Sequence, residues 1–275
     1  MNYIRKTILK PVLSKNPPLH ISHRGGAKLY PENTIFAFKK CIENFNTDMI
    51  ELDINSTKDR VIVVIHDETV DRTTNGNGKV LDLTLNEIKK LDAGYRFTLD
   101  GGKTFPIREK GIKIPTLEEV FKTFPDMRFT VEIKQNYPPI EKELFELIKK
   151  TEMEENVIVA CYYDDVIKRF RKISSDIATS FSKEEIRKAI IFSKLHLMHF
   201  YSPKIDVLQT PIIYGNKKIY SSKLVRDCHK LGIYVHIWTI DDEKEMKMLF
   251  LDGVDGIMSD RPDILEKVMK EMNYR

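Results

Sequence analysis

The chain has 275 residues, 41% of them hydrophobic, with 45 basic and 41 acidic side chains and a formal net charge of +4. That suits one large α/β domain, since eight-stranded α/β barrels take about 250 residues. The charges are interspersed rather than blocked, which excludes a nucleic-acid signature and leaves a mild preference for anionic ligands. Cys41, Cys161 and Cys228 are odd in number and far apart. They read as free thiols of a reducing compartment, not as a disulfide framework or a zinc site, so a cytoplasmic location is expected. No segment approaches the roughly 18 apolar residues of a membrane span.

Residues 1–18 are basic, are broken at Pro11 and read as an N-terminal arm lying across the bottom of the domain. An interfacial anchor is the sharper alternative and would give peripheral membrane association. Strand candidates follow at Leu19 to Ser22, Met49 to Ile54, Val61 to Ile65, Arg128 to Ile133, Val157 to Cys161, Ile177 to Phe181, Asp206 to Gln209, Ile233 to Thr239 and Val254 to Met258. Helical periodicity falls between them at Asn33 to Asn44, Thr116 to Phe124, Pro139 to Thr151, Asp164 to Ile173, Ser182 to Leu195, Ser221 to Leu231, Asp241 to Phe250 and Pro262 to Met272. Asn33, Asp164 and Ser182 are the expected N-caps, and Pro262 suits a first helical position. Alternation over the whole length, without a G-x-G-x-x-G turn after the first strand, predicts a TIM-type (β/α)8 barrel, residues 1–275 forming a single domain with a small inserted subdomain after the third strand. Nine candidates compete for eight places, Asp206 to Gln209 being the weakest.

Two connections break the repeat. Between Ile54 and Val61 there is no room for a helix, which predicts a hairpin or a bare crossover. Glu51, Asp53 and Asn55 share one strand face by two-residue alternation, so both acids can point into one barrel mouth. The stretch 67–114 is long, rich in Gly, Thr, Asn and Asp, and has one helical piece near Leu85 to Leu91. It begins directly after His66 and is expected to be a lid or small subdomain over the site.

Glu51, Asp53 and Glu132 offer hard oxygen donors, which suit magnesium, calcium or manganese and not zinc or copper. Each interrupts an apolar strand, where an unpaired charge is costly, so a bound cation or a buried salt bridge to Arg24 or Lys134 must compensate. His23 and His66 have unperturbed pKa values near neutrality, which suits one as base and the other as acid. Arg24 can grip a phosphate oxygen, while Gly25 and Gly26 let the backbone approach an anion. Arginine, cation and paired histidines together read as phosphodiester cleavage. His20, His196, His199, His229 and His236 lack such company and read as structural.

The strings HRGGAKLYPENTIFAF, IELDINSTKDRVIVVIHDETVDRTTNGNG, LDAG, IPTLEEV, VEIK, VHIWTID and GVDGIMSDRPDIL run in order from about Leu19 to Leu265. They resemble the glycerophosphodiester phosphodiesterase family. The resemblance implies a TIM-type barrel that hydrolyses glycerophosphodiesters to glycerol 3-phosphate and an alcohol with a divalent cation, Mg2+ or Ca2+, with Mn2+ as a third choice. It places the catalytic histidines at His23 and His66, the phosphate-binding arginine at Arg24 and the metal ligands at Glu51, Asp53 and Glu132. Lys134 and Trp238 follow as substrate contacts. Glu32 and Asn33 stand behind the site, Asn33 alternatively as a plain helix cap. The segment 67–114 matches the insertion that in relatives shapes the glycerol end.

In the mechanism so implied, one histidine deprotonates water or the glycerol 2-hydroxyl and the other protonates the leaving alkoxide, with His23 taken as base and His66 as acid. A lysophospholipase D using the same site on lysophospholipids is the alternative. Phosphatidylinositol-type phospholipases C and sphingomyelinases D fit less well, and a non-catalytic phosphodiester-binding barrel is the reading from another class. The expected partner is a small-molecule glycerophosphodiester or lysophospholipid, with no nucleic acid and no integral membrane segment.

Overall fold

The computed structural model describes residues 10–13, 18–201 and 205–275. Eight parallel strands form a ring in the order β6 (Ala178–Thr179), β5 (Val157–Ala160), β4 (Arg128–Ile133), β2 (Met49–Ser56), β1 (Leu19–His23), β11 (Gly256–Ser259), β10 (Tyr234–Ile237) and β7 (Val207–Thr210). A single bridge from Ser180 to Val207 nearly closes it. Outside the ring, β3 (Ile62–Val64) pairs antiparallel with β2, and β8 (Ile213–Tyr214) with β9 (Lys217–Lys218) makes a hairpin after β7. The helices are α1 (Ile35–Phe45), α2 (Leu85–Ile88), α3 (Leu117–Thr123), α4 (Glu141–Lys150), α5 (Asp164–Ile173), α6 (Lys183–Lys194), α7 (Ser222–Lys230), α8 (Glu243–Leu251) and α9 (Pro262–Glu271). Among the described residues none is long and apolar enough to cross a membrane.

The competition among nine strands resolves differently from the expectation. Val207–Thr210 is a barrel strand, parallel to β10, and the supernumerary strand is Ile62–Val64. A parallel neighbour needs a crossover of a dozen or more residues; the link after Ser56 is far shorter, so the chain turns back on β2. The insertion follows the third strand in sequence, as expected, and that strand is a hairpin partner of β2 outside the ring.

Two-residue alternation sorts each strand between two cores. On β2, Ile50, Leu52 and Ile54 face outward with Phe38, Phe121 and Phe129, while Met49 faces inward with Ile21, Ile158, Val207 and Met258. Glu51 and Asp53 are therefore inward residues. At the opposite end of the barrel, Val12 and Leu13 are buried in the inner cluster, and Arg128 Nη1 donates to Val12 O at 3.0 Å. The rest of the expected N-terminal arm, residues 1–9 and 14–17, lies outside the described residues.

Two expected caps are corrected. Thr34, not Asn33, caps α1, its hydroxyl accepting from Ala37 N at 3.1 Å. Asp164 is the first residue of α5, with Tyr163 at the cap, and its carboxylate accepts from Ser182 Oγ at 2.6 Å and Glu184 N at 3.2 Å, serving the start of α6. Ser182 is the cap of α6 and Pro262 opens α9, as expected.

The insertion builds its own small core, Val70, Val80, Ile88, Ala93 and Ile114 packing on Val63 and Ile65. Of the expected helix over Leu85 to Leu91, only Leu85–Ile88 is α-helical.

Candidate active site

A cavity of about 360 Å³ is lined by His23, Arg24, Glu51, His66, Glu132, Lys134 and Trp238, together with Tyr162, Tyr163, Gln209 and Tyr214. Asp53 lies fully buried beside it. Parallel register brings the acids together: Asp53 stands opposite Glu132 and His23 opposite Glu51. Ligand atoms of Glu51, Asp53 and Glu132 lie within 4.8 Å of one another. No residue of 67–114 lines this cavity; the insertion packs instead on Val63 and Ile65.

Cations compensate part of this charge. Lys134 Nζ is 3.0 Å from Asp53 Oδ1 and 3.0 Å from Glu132 Oε2, and Arg24 Nε is 3.1 Å from Asp53 Oδ2. Burial opposes the Asp53 charge, but Lys134 and Arg24 outweigh it and hold its carboxyl below the ordinary range. Glu51 differs. Oε2 accepts from Arg24 N at 3.1 Å, while Oε1 is buried with no hydrogen-bond partner. Burial, and then the Asp53 charge, push its carboxyl up to about 7. The two cations offset the charge on Asp53 and Glu132, yet Asp53 Oδ1, like Glu51 Oε1, is a buried oxygen without a hydrogen bond. An orphaned buried oxygen in an all-oxygen donor set fits a hard divalent cation.

Each histidine has an aspartate behind it. His23 Nδ1 donates to Asp260 Oδ1 at 2.6 Å, and Nε2 is 3.8 Å from Glu51 Oε2. Burial opposes a charge on His23, but Glu51 and Asp260 outweigh it and raise its pKa. His66 Nδ1 donates to Asp67 Oδ1 at 2.6 Å. The backbone at His66 is tied down by Asn55, whose Nδ2 donates to Ile65 O at 2.9 Å and reaches His66 O and Asp67 O. Asn33, at φ 58°, clamps Asp53: Nδ2 donates to Asp53 Oδ2 at 2.9 Å and Oδ1 accepts from Asp53 N at 3.2 Å.

Gly25 has φ 77°, and a Cβ there would lie 2.6 Å from Phe38 Cδ1, so both its left-handed backbone and helix packing require this glycine. Asp260, Asp67 and Arg72 were not singled out by residue-type reasoning. The acids could have been found as the Asp that follows each strand-end motif, in IHD and IMSD.

Residues 23–264 match the glycerophosphoryl diester phosphodiesterase family. A glycerophosphodiester phosphodiesterase from Caldanaerobacter subterraneus subsp. tengcongensis is 38% identical over 258 residues, covering 92% of this chain and 98% of that protein. A lysophospholipase D from Homo sapiens is 30% identical, covering 88% of this chain and 83% of its own length. Among solved structures, an Oleispira antarctica phosphodiesterase in complex with the product sn-glycerol-3-phosphate aligns with a TM-score of 0.71 at 21% identity, covering 92% of this chain and 97% of that one, and shares the fold.

Proposed function

The chain belongs to the glycerophosphoryl diester phosphodiesterase family, and from that premise we propose how its residues divide the work. It is an enzyme that cleaves glycerophosphodiesters to sn-glycerol 3-phosphate and an alcohol. The observation that carries the assignment of roles is the sharing of one cavity by two aspartate-backed histidines and a three-carboxylate cluster.

Glu51, Asp53 and Glu132 would hold a divalent cation, Mg2+, Ca2+ or Mn2+, which when bound supplies charge neutralisation for the phosphate. Arg24 and Lys134 add positive charge to the same wall and orient the phosphodiester. His23 is the base: with Nδ1 donated to Asp260, its Nε2 takes the proton of the nucleophile, and the imidazolium is stabilised by Asp260 and Glu51. His66 is the acid, its Nε2 protonating the departing alkoxide while Nδ1 stays bound to Asp67. Trp238 provides an apolar contact for the substrate.

One feature favours a second reading, cleavage of lysophospholipids. The wall facing the charged residues is aromatic, with Tyr162, Tyr163 and Tyr214, and the Tyr162 and Tyr214 hydroxyls are 3.0 Å apart. Tyr137, in the loop after β4, is 83% exposed and Ile213, in β8, is 60% exposed, which suits an acyl chain or a lipid surface. Comparing sn-glycerol 3-phosphate release from glycerophosphocholine, glycerophosphoethanolamine and glycerophosphoglycerol with cleavage of lysophosphatidylcholine tests both. Turnover of the soluble diesters is expected; activity on lysophosphatidylcholine alone would overturn the first reading.

A further inference from the structure

Arg72 touches neither the catalytic cavity nor the carboxylate cluster, yet it connects the two sides of the site from behind. Its Nε donates to Asp67 Oδ2 at 2.7 Å and its Nη2 to Asp67 Oδ1 at 3.1 Å. The same guanidinium donates Nη1 to Glu32 Oε2 and Nη2 to Glu32 Oε1, both at 2.7 Å. Both carboxylates reach inward from there. Asp67 Oδ1 holds His66 Nδ1 at 2.6 Å, and Glu32 Oε1 receives Arg24 Nη1 at 3.2 Å. One planar cation thus fixes the acid behind His66 and the acid behind Arg24, with Nη2 shared between them.

Removing that cation would leave Asp67 and Glu32 as two carboxylates that formerly accepted from one nitrogen. Their repulsion would turn the Asp67 carboxylate off His66, the Glu32 carboxylate off Arg24, or both. Burial works against the Asp67 charge, and Arg72 with His66 outweighs it, holding its carboxyl down at about 2. A lysine cannot substitute, because a point charge lacks the fork that grips two carboxylates at once. Arg72 is itself anchored by the insertion: Val70, fully buried in the small core, has its N bonded to Gly78 O at 3.0 Å, and Asp71 Oδ1 accepts from Gly78 N at 2.7 Å. Arg72 and Glu32 line a separate cavity outside the catalytic one, with Lys28 and Arg261.

We infer that Arg72 is a positioning residue that couples His66 to Arg24, so that the inserted segment serves the reaction by clamping it from behind rather than by covering it. This rests on the reading of His66 as a proton-transfer group and Arg24 as a phosphate contact. Four variants test it, Arg72→Met, Arg72→Lys, Asp67→Asn and the Arg72→Met/Asp67→Asn double, with His66→Ala as the control on that reading. For Arg72→Met, kcat on a glycerophosphodiester should fall on the order of a hundredfold, the cost of a misaligned catalytic group. Mn2+ affinity measured with the metal alone should stay near wild type, while KM should rise as Glu32 turns off Arg24 and Tm should fall as two carboxylates lose their shared cation. Arg72→Lys should recover only part of kcat, and the double variant should be no worse than its more damaged parent, because the two residues act as a unit. An active His66→Ala enzyme would overturn the underlying reading. With His66→Ala inactive, Arg72→Met turnover within about threefold of wild type, Mn2+ affinity falling in parallel with kcat, or losses that multiply in the double variant would overturn the coupling itself. If Arg72→Met does not fold, Arg72→Lys decides: undiminished kcat refutes the coupling.

Discussion

Replacing Glu51 by Gln should make the cation-free protein more stable while destroying its activity. Glu51 is 3% exposed, and its Oε1 has no hydrogen-bond partner. Its carboxyl is raised from 4.5 to about 7, first by burial and then by the Asp53 charge. The folded state therefore holds a proton there that the unfolded chain releases, and stability falls as pH rises from the ordinary carboxylate value through the folded one. Above that window the ionised side chain opposes folding by on the order of 3 kcal/mol at most, from about 1.4 kcal/mol per pK unit. A glutamine keeps the acceptor for Arg24 N, carries no charge and can donate to a neighbouring carboxylate. At pH 8 with chelator present, its Tm should exceed that of the wild type by on the order of 5 °C, and the difference should shrink at acid pH. Adding Mg2+ or Mn2+ should reverse the order, since ligand binding stabilises only a protein that can hold the ion. Differential scanning fluorimetry across pH, with and without cation, reads all of this. A lower Tm for Glu51→Gln in chelator at pH 8 would refute the argument that Glu51 is a strained, uncompensated acid.

Chelation should abolish turnover, and separate addition of Mg2+, Ca2+ or Mn2+ should restore it to different extents, measured as sn-glycerol 3-phosphate release. Asp260→Asn removes the charge from a 2.6 Å hydrogen bond to His23. Such bonds contribute about 1.5–3 kcal/mol, so kcat should fall roughly 10- to 150-fold while Mn2+ affinity holds; a threefold effect or less would show that Asp260 is not orienting the base. Ile213→Ser and Tyr137→Ser should lower turnover of lysophosphatidylcholine micelles severalfold and leave glycerophosphocholine unchanged, and equal effects on both substrates would count against a lipid-facing rim.

Much of the site's layout could be read along single strands. Glu51, Asp53 and Asn55 share a face because strand alternation requires it, and Glu132 arrives opposite Asp53 because β4 pairs with β2 in register. His66 comes close because the link after Ser56 is too short for anything but a reversal. The parts that escaped depend on contacts distant in sequence or on local backbone geometry. Asp260 reaches His23 only because the last strand pairs with the first, 237 positions away. Asn33 has the composition of a cap, but its left-handed backbone turns the carboxamide onto Asp53 and leaves capping to Thr34. Val61 to Ile65 and Asp206 to Gln209 are both short and apolar, and only connection length and pairing partners separate a hairpin strand from a barrel strand. Arg72 carried no signal, since an arginine in a polar loop is ordinarily a solvated charge.

The pairing of His23 with Asp260 also joins the beginning of the barrel to its end. One partner ends the first strand and the other follows the last, with β1 and β11 side by side. Glu51, Asp53, Glu132 and His66 all lie in the first half of the chain, whereas the carboxylate behind His23 follows its last strand. The proposed base is therefore held in place only once β11 has paired with β1, so Asp260 couples the orientation of His23 to closure of the sheet.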